Sequence, residues 1–492
     1  MPSPDSPTCR AAGRRASALR PPFTMREARW WARVGVLASL ALVLGYAETF
    51  IPLPVPVPGI KLGLGNIVVL AALVLLDVKA AAVVAVVKVL AAGFLFGNPL
   101  MMLYSAGGTA LAFAGMAALS HIRGLSVVLV AMAGAILHNV GQLAVAAAIL
   151  GTPLVWYSAP VLVVAACITG GITGVAARSV IACLEGATGM EEKEDSAVPA
   201  RREMPRSATV AGTAGSKAAR AYTLPPKPAS PNGARPSSAP RSARAFVSGI
   251  DARAKLAFLV VFMIATLHAR SSWDMAACLA FACALAVVTR VRPGTVRAVL
   301  VPLAPILLFT AVMQVLAQQD GAVVFTVAGL AVTAEALWQS ARMVGCLLAL
   351  MIASVSFMQV TRAEELVATL DWLLRPLRAA GVRTEAFILA LSVALGFLPV
   401  LVGEFNRLKT AQMARLARFD GTMRDRLRAY TQLFAPLLRS SFEHADNLAA
   451  ALLARGFACG ANPTRLHSGA FGAPEASCLA LAGAFAIALA LL

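Results

Sequence analysis

Two blocks of hydrophobic residues dominate the pattern along the chain, and a polar stretch separates them. Residues 33–184 form a dense apolar block, residues 250–492 form a second with more charge, and residues 185–249 are rich in Pro, Ser, Ala, Gly and Arg. The polar stretch lacks apolar periodicity and cannot bury enough surface to offset its ordering entropy. The pattern therefore predicts two membrane domains joined by a disordered linker, after a basic tail at residues 1–32.

The first block predicts six transmembrane helices, because a helix needs about 20 apolar residues to cross a bilayer. Arg26, Arg29 and Arg33 precede the first span and favour a cytoplasmic N-terminus. An even number of spans then returns the linker to the cytoplasm. The apolar runs lie near residues 34–50, 67–77, 79–97, 101–119, 125–150 and 154–182.

The second block predicts five further spans, so the fold class is an all-α, polytopic protein of the cell membrane. The stretch 386–402 is also long enough to cross, but crossing would place the basic segment 407–439 outside. We therefore expect a buried or interfacial helix there, on the cytoplasmic side. The five spans lie near residues 254–269, 273–289, 298–317, 338–358 and 473–491.

Composition supports the bilayer as the main solvent. The 492 residues are 59% hydrophobic and 14% charged, whereas soluble proteins carry about a quarter charged residues. The net charge of +19 is explained by arginines in cytoplasmic loops. Nucleic-acid binding would need basic residues interleaved with exposed aromatics or a known module, and neither occurs.

The sequence offers no support for catalysis on this chain. It lacks a phosphate-binding loop of the type Gly-x-x-x-x-Gly-Lys-Ser/Thr, and Asp77 is the sole aspartate of the first block. The eight cysteines form no Cys-x-x-Cys pair and the five histidines form no spaced cluster. We expect no enzyme activity, no metal site and no ATP hydrolysis by this chain.

Polar residues inside the first block are candidate substrate contacts. Glu48 ends the first span, the proline-rich loop IPLPVPVPGIKLGLGN carries Lys61 and Asn66, and Lys88 lies within a later span. A charge near the bilayer centre costs about 3 kcal/mol on insertion scales, so such a lysine usually faces a cavity or a partner. The lysines hint at an anionic substrate, whereas Lys79 is assigned to snorkelling at the interface.

A second polar group lies in the segment HNVGQL. His138 and Gln142 are four residues apart and share one helix face, and Asn139 lies between them. Hydrogen bonds between helices that fix the bundle would explain this group as well as ligand contact does. Both interpretations stay open.

The motifs PGIKLGLGN and HNVGQL resemble the Gx transporter family, also labelled heptaprenyl diphosphate synthase component I. That family is similar to the substrate-binding S components of energy-coupling factor transporters. The resemblance implies a six-helix bundle with a substrate pocket toward the outside. It also implies docking through small residues of the first helix, for which Ala41 and Gly45 are candidates.

The second block resembles the transmembrane EcfT (CbiQ-like) component of such transporters. The resemblance rests on IDARAKL at 250–256 and on EELVATLDWLLRPLRAAG, LGFLPVLVGEFNRLKTAQMARL and FEHADNLAAALLARGF. It implies two coupling helices whose Ala-Arg-Gly ends enter grooves of two ATPase subunits. The second motif is intact as Ala454, Arg455 and Gly456, whereas the first reads Ala414, Arg415 and then Leu416, so that helix is expected to end differently or run on.

The two resemblances together predict a fused S and T protein of an energy-coupling factor transporter. ATP and Mg²⁺ would bind to two ATPase subunits on other chains, and the substrate would be a small vitamin-like or anionic molecule. Two alternatives remain. One is a membrane accessory of prenyl diphosphate synthesis; the other is a cobalt or nickel permease, which the absence of a histidine near the N-terminus disfavours.

Overall fold

The structure is a computed structural model, and it describes most of the two apolar blocks. The described residues are 24–48, 63–95, 99–122, 124–150, 153–197, 247, 249–269, 271–317, 322–327, 330–419, 421–457 and 473–491. The predicted linker lies largely outside these residues, as does Lys61.

Within its described residues, the first block folds as six α-helices, as the apolar runs predicted. Helix α2 has 12 residues and is therefore about 18 Å long, shorter than the hydrocarbon core of a bilayer. Helix α6 runs past residue 184 to Ala197, so the linker predicted to begin at residue 185 starts with helix. The helices are α1 (Met25–Glu48), α2 (Leu64–Leu75), α3 (Val78–Leu95), α4 (Pro99–Ser120), α5 (Val127–Leu150) and α6 (Ala159–Ala197), with a 3₁₀ turn at Pro153–Ser158.

The part of the second block that the structure describes is also helical, apart from one antiparallel hairpin of β1 (Val323–Val327) and β2 (Leu330–Thr333). The apolar pattern did not predict this hairpin, although its strands are rich in β-branched residues. Each of the five predicted spans coincides with a helix. The helices are α7 (Ala252–His268), α8 (Ser272–Val288), α9 (Pro293–Ala317), α10 (Ala334–Val360), α11 (Ala363–Leu373), α12 (Arg375–Ala379), α13 (Thr384–Ala414), α14 (Met423–Ala454) and α15 (Ala473–Leu491).

Among the described residues, seven helices are long and apolar enough to cross a membrane. They include α13, whose sequence predicted a buried or interfacial helix instead. Length and hydropathy alone permit both placements, so the interfacial position of α13 stays a prediction. The seven segments are Met25–Ala47, Val78–Leu95, Met101–Ser120, Val127–Ile149, Val155–Ala182, Ala334–Val360 and Thr384–Ala414.

Helix α1 packs against both blocks at once. It contacts α2 and α3 of its own bundle, and it contacts α13 and α14 of the second block. Its buried residues include the unbroken run from Val34 to Leu44, so no face of this segment is left to solvent or lipid. The first helix of one block is therefore a core element of the other.

A glycine sets the closest approach between α1 and α13. A Cβ atom on Gly35 would lie 2.8 Å from Val393 Cγ1 and 2.9 Å from the carbonyl oxygen of Ala390. The structure places the predicted docking residues elsewhere. The carbonyl oxygen of Ala41 lies 2.8 Å from the Cβ position of Gly65 on α2, and a Cβ on Gly45 would meet nothing within 4 Å.

A second core holds α7, α8, α10 and α15 together. Phe262 on α7, Phe281 on α8 and Phe485 on α15 pack together with ring centroids 4.5 to 5.6 Å apart. Three residues of the first block, Phe94, Tyr104 and Ile149, pack against this core.

The packing at Gly35 predicts a large difference between two glycine substitutions on the same helix. Gly35→Ala forces a methyl group against α13 and should lower the free energy of unfolding by about 1–3 kcal/mol. Gly45→Ala meets open space and should be neutral or stabilising by up to about 1 kcal/mol, because alanine favours helix. Thermal unfolding of both full-length variants in lipid nanodiscs checks this. Equal melting temperatures would contradict the assignment of the contact to Gly35.

Candidate functional site

Three of the polar candidates of the first block meet at the N-terminus of α2. Glu48 Oε1 accepts a hydrogen bond from the Gly63 amide at 2.9 Å, and Oε2 accepts one from the Leu64 amide at 3.2 Å. Lys88 Nζ donates to Asn66 Oδ1 at 2.5 Å. The Glu48 carboxylate thus occupies the position at a helix N-terminus that favours an anion.

The chain conformation that allows this capping depends on Gly63. Its φ of 80° lies in the left-handed region, which glycine adopts without steric cost. The amides of Gly63 and Leu64 then both point at Glu48, so the start of α2 lies beside the end of α1 in space. Lys88 reaches the same place from α3, where its ammonium group donates to Asn66.

The polar residues of the segment HNVGQL make two separate sets of contacts. His138 Nε2 and Gln142 Nε2 lie 3.2 Å apart on α5, and both side chains face Gly108 of α4, whose Cβ position is 2.8 Å from Gln142 Cγ and 3.0 Å from His138 Cε1. Asn139 Nδ2 instead donates to the Leu162 carbonyl of α6 at 3.0 Å. Asn139 therefore joins two helices, as the structural interpretation of this motif expected.

The segment 250–256 ties four helices together. The Asp251 carboxylate caps α7 by accepting from the Arg253 amide at 2.9 Å, and the Asp251 amide donates to Glu475 on α15 at 3.1 Å. Lys255 is buried, donates to the Val360 carbonyl at 2.9 Å and lies 3.8 Å from Glu365. This motif holds α7 to α10, α11 and α15, which a reading of the sequence alone did not assign.

Charged residues at the start of α1 bind the second block. The Arg33 guanidinium pairs with Asp446 of α14 through two hydrogen bonds of 3.2 and 3.1 Å, and it lies 5.6 Å from the ring centroid of Phe442. Arg383, just before α13, donates to Glu27 at 2.5 Å. Sequence reasoning assigned Arg33 to membrane topology alone and missed this contact.

Helices α13 and α14 end in the same type of turn. On α14 the amide of Gly456 donates to the Leu453 carbonyl at 2.9 Å, and that of Phe457 donates to Leu452 at 3.0 Å, with φ 70° at Gly456. This pair of bonds is the Schellman arrangement, which closes a helix. Arg455, the residue before the glycine, is exposed at the tip.

Helix α13 closes in the same way without a glycine. The Leu416 amide donates to the Met413 carbonyl and the Ala417 amide to the Gln412 carbonyl, each at 3.0 Å. Leu416 adopts φ 65°, so it stands in the glycine's place, and Arg415 is exposed as Arg455 is. The sequence left open whether this helix would end differently or run on; it ends after Ala414.

Helices α13 and α14 contact each other away from their C-terminal ends. Glu404 lies 3.4 Å from His444 Nε2, and the rings of Phe405 and Tyr430 stack at 6.4 Å. The start of α14 is fixed by a reciprocal cap between Thr422 and Asp425.

Two family models match the two apolar blocks separately. The family model described as heptaprenyl diphosphate synthase component I matches residues 37–180, and the model described as cobalt transport protein, CbiQ, matches residues 243–465.

Curated relatives match the second half. Energy-coupling factor transporter transmembrane protein EcfT of Brevibacillus brevis is 30% identical over 46% of this chain and 85% of its own length. EcfT of Exiguobacterium sibiricum is 34% identical over 35% of this chain and 67% of its own length. EcfT 1 of Listeria monocytogenes is 29% identical over 45% of this chain and 84% of its own length.

The Arg33–Asp446 pair predicts a charge-reversal rescue. Arg33→Asp sets two carboxylates against each other and Asp446→Arg two guanidinium groups, so each should lower the melting temperature. The double variant restores opposite charges and should recover most of the loss, with a coupling of about 1 kcal/mol for this half-exposed pair. The same reversal at the exposed Arg439–Glu443 pair of α14 is the control and should show little coupling. Additive losses at Arg33 and Asp446 would rule out a direct contact.

Proposed function

Because the chain belongs to the EcfT family of energy-coupling factor transporter transmembrane proteins, we propose that it couples ATP hydrolysis by two separate ATPase subunits to substrate import. The chain is a multi-pass membrane component of such a transporter. The first block acts as the substrate-binding S component, fused to the coupling component of the second block. ATP and Mg²⁺ bind to the partner ATPases.

The observation that carries this proposal is the pair of matching helix ends. Arg415 and Arg455 each occupy the position before a left-handed residue that closes a long helix. The guanidinium group presents a planar fork of donors that pairs bidentately with a carboxylate. We call the helix end at Arg415 the first tip and the helix end at Arg455 the second tip. Two such tips, on helices that contact each other, suit two separate partner subunits.

Movement at the tips reaches the bundle through α1. The helix packs on α13 and α14 and also belongs to the first core, so a tilt of the coupling helices carries the bundle with it. The fusion also keeps the two blocks at a high effective concentration, because their association is intramolecular. The N-terminus, the linker and both tips face the cytoplasm in this proposal.

The proposed substrate enters the first block from outside and contacts Lys88. Lys88 lies in this cluster with Glu48 and Asn66, so the proposed site contains an ammonium group and hydrogen-bonding groups together. A small anionic or vitamin-like molecule suits this charge. His138, Gln142 and Lys61 are further candidate contacts. Neither alternative function is favoured, because the relatives of the second half carry the energy-coupling factor name.

Charge reversal at the second tip should abolish coupling. In proteoliposomes that contain the ATPase subunits, Arg455→Glu should weaken binding of the chain to these subunits by at least about thirtyfold and stop uptake. The substitution places a carboxylate where the proposed partner surface binds a guanidinium group. Arg439→Glu, on the same helix and exposed, should leave both nearly unchanged. Normal uptake by the Arg455 variant would refute the coupling role.

Two lysines on α3 should differ in their effect on substrate affinity. Lys88→Met removes the cation beside Asn66 and should weaken binding of the natural substrate at least about tenfold. Lys79→Met, at the exposed start of α3, should have little effect. The substrate is first identified by mass spectrometry of small molecules that co-purify with the full chain, and its affinity is then measured by calorimetry. Equal affinities for the two variants would remove Lys88 from the site.

A further inference from the structure

Leu416 is a poor residue for the place that it occupies. Its φ of 65° is a conformation in which a leucine is strained and a glycine is not. Its side chain is 89% exposed, the largest exposed fraction among the large apolar side chains of the described residues. Neither the turn nor the core explains a leucine at this position.

A second apolar side chain lies beside it. Met413 lies three residues earlier, in the last turn of α13, and it is 50% exposed. Met413 and Leu416, two exposed apolar residues within two positions of the exposed Arg415, are here called the apolar cap. Ala417 and Phe419 turn back and pack against the core, so the chain after the cap is held in place.

The second tip lacks such a cap. Its corresponding residue, Gly456, has the same backbone conformation, and a Cβ placed on it would meet nothing within 4 Å. A glycine is therefore sufficient to close this kind of turn. The two tips share an arginine and a fold but present different surfaces.

We propose that Leu416 is a specificity-determining contact of the first tip, and that it enters an apolar pocket on the ATPase subunit that receives Arg415. The inference rests on the proposed coupling function. Leu416 follows Arg415 directly and is exposed as Arg415 is, so a partner surface that receives the arginine lies next to the leucine. Burial of the leucine on binding offsets the strain in the free chain.

The position of the apolar cap indicates which partner binds it. The cap adjoins Arg415, so the partner subunit that binds Arg415 is also the one that contacts Leu416. A partner for this tip presents a carboxylate for Arg415 and an apolar hollow beside it. The partner surface for the Gly456 tip needs no hollow.

The test measures binding to the full chain in lipid nanodiscs. The probe is a purified pair of ATP-binding cassette subunits of the energy-coupling factor type from the same organism as the chain. Leu416→Gly should weaken binding by about ten- to hundredfold, the value of a buried leucine side chain. It should not lower the melting temperature of the free chain, because glycine relieves the left-handed strain. Leu416→Asn, polar and tolerant of this conformation, should weaken binding similarly.

The outcomes separate this inference from the function on which it rests. If the unaltered chain binds the subunits and Leu416→Gly binds equally well, the pocket does not exist and the coupling role is untouched. A loss with Leu416→Gly but not with Leu416→Asn would show that backbone conformation decides binding, and it would also overturn the inference. Failure of the unaltered chain to bind would refute the proposed function and this contact with it.

Discussion

Burial of α1 by two sets of helices is the constraint on which the rest of the structure depends. The segment from Val34 to Leu44 is enclosed on one side by α2 and α3 and on the other by α13 and α14. Removing α13 and α14 would expose a large apolar surface of α1. In water, exposure of apolar surface costs about 25 cal/mol of free energy per Å². In a bilayer the main cost would be the lost packing between helices, since lipid tails are as apolar as leucine. The close approach at Gly35 matters for this reason, because it lets backbone and side chains interdigitate.

Shape and charge have separate roles at this interface. The apolar middle of α1 fits α13 through Gly35, and the charged start of α1 sets the register through Arg33 and Glu27. The ion pairs are partly exposed and add little stability by themselves. Their value is geometric, because the fork of Arg33 meets both oxygens of Asp446 and so fixes an angle as well as a distance.

Most of the fold, and part of the site, could be predicted from the sequence. Runs of apolar residues located the helices because a bilayer imposes their length, and the Arg-Gly pair located the end of α14 because glycine readily adopts a left-handed φ. The same rule failed at Leu416, where packing of Ala417 and Phe419 closes the turn without a glycine. A local rule cannot anticipate a conformation that tertiary contacts impose.

Long-range partners account for the other omissions. Arg33 and Asp446 are 413 residues apart, so no spacing rule connects them. Gly35 could not be told from Gly45 because small residues are common in membrane helices, and only the position of α13 distinguishes them. Asn66 and Lys88 were singled out separately, but their contact depends on how α2 and α3 pack.

The central claim is that α1 moves with the coupling helices and links them to the substrate-binding bundle. The most direct measurement is uptake with α1 covalently fixed to the start of α13. Glu27→Cys and Arg383→Cys, in a chain with its native cysteines replaced, would be joined by a short reducible cross-linker, because these side chains are in contact. The account predicts that ATP-driven uptake in proteoliposomes continues at a rate within about twofold of that of the reduced protein. Uptake that stops on cross-linking and returns on reduction would contradict this claim, because it would show that the first block must separate from α13 and α14 during transport.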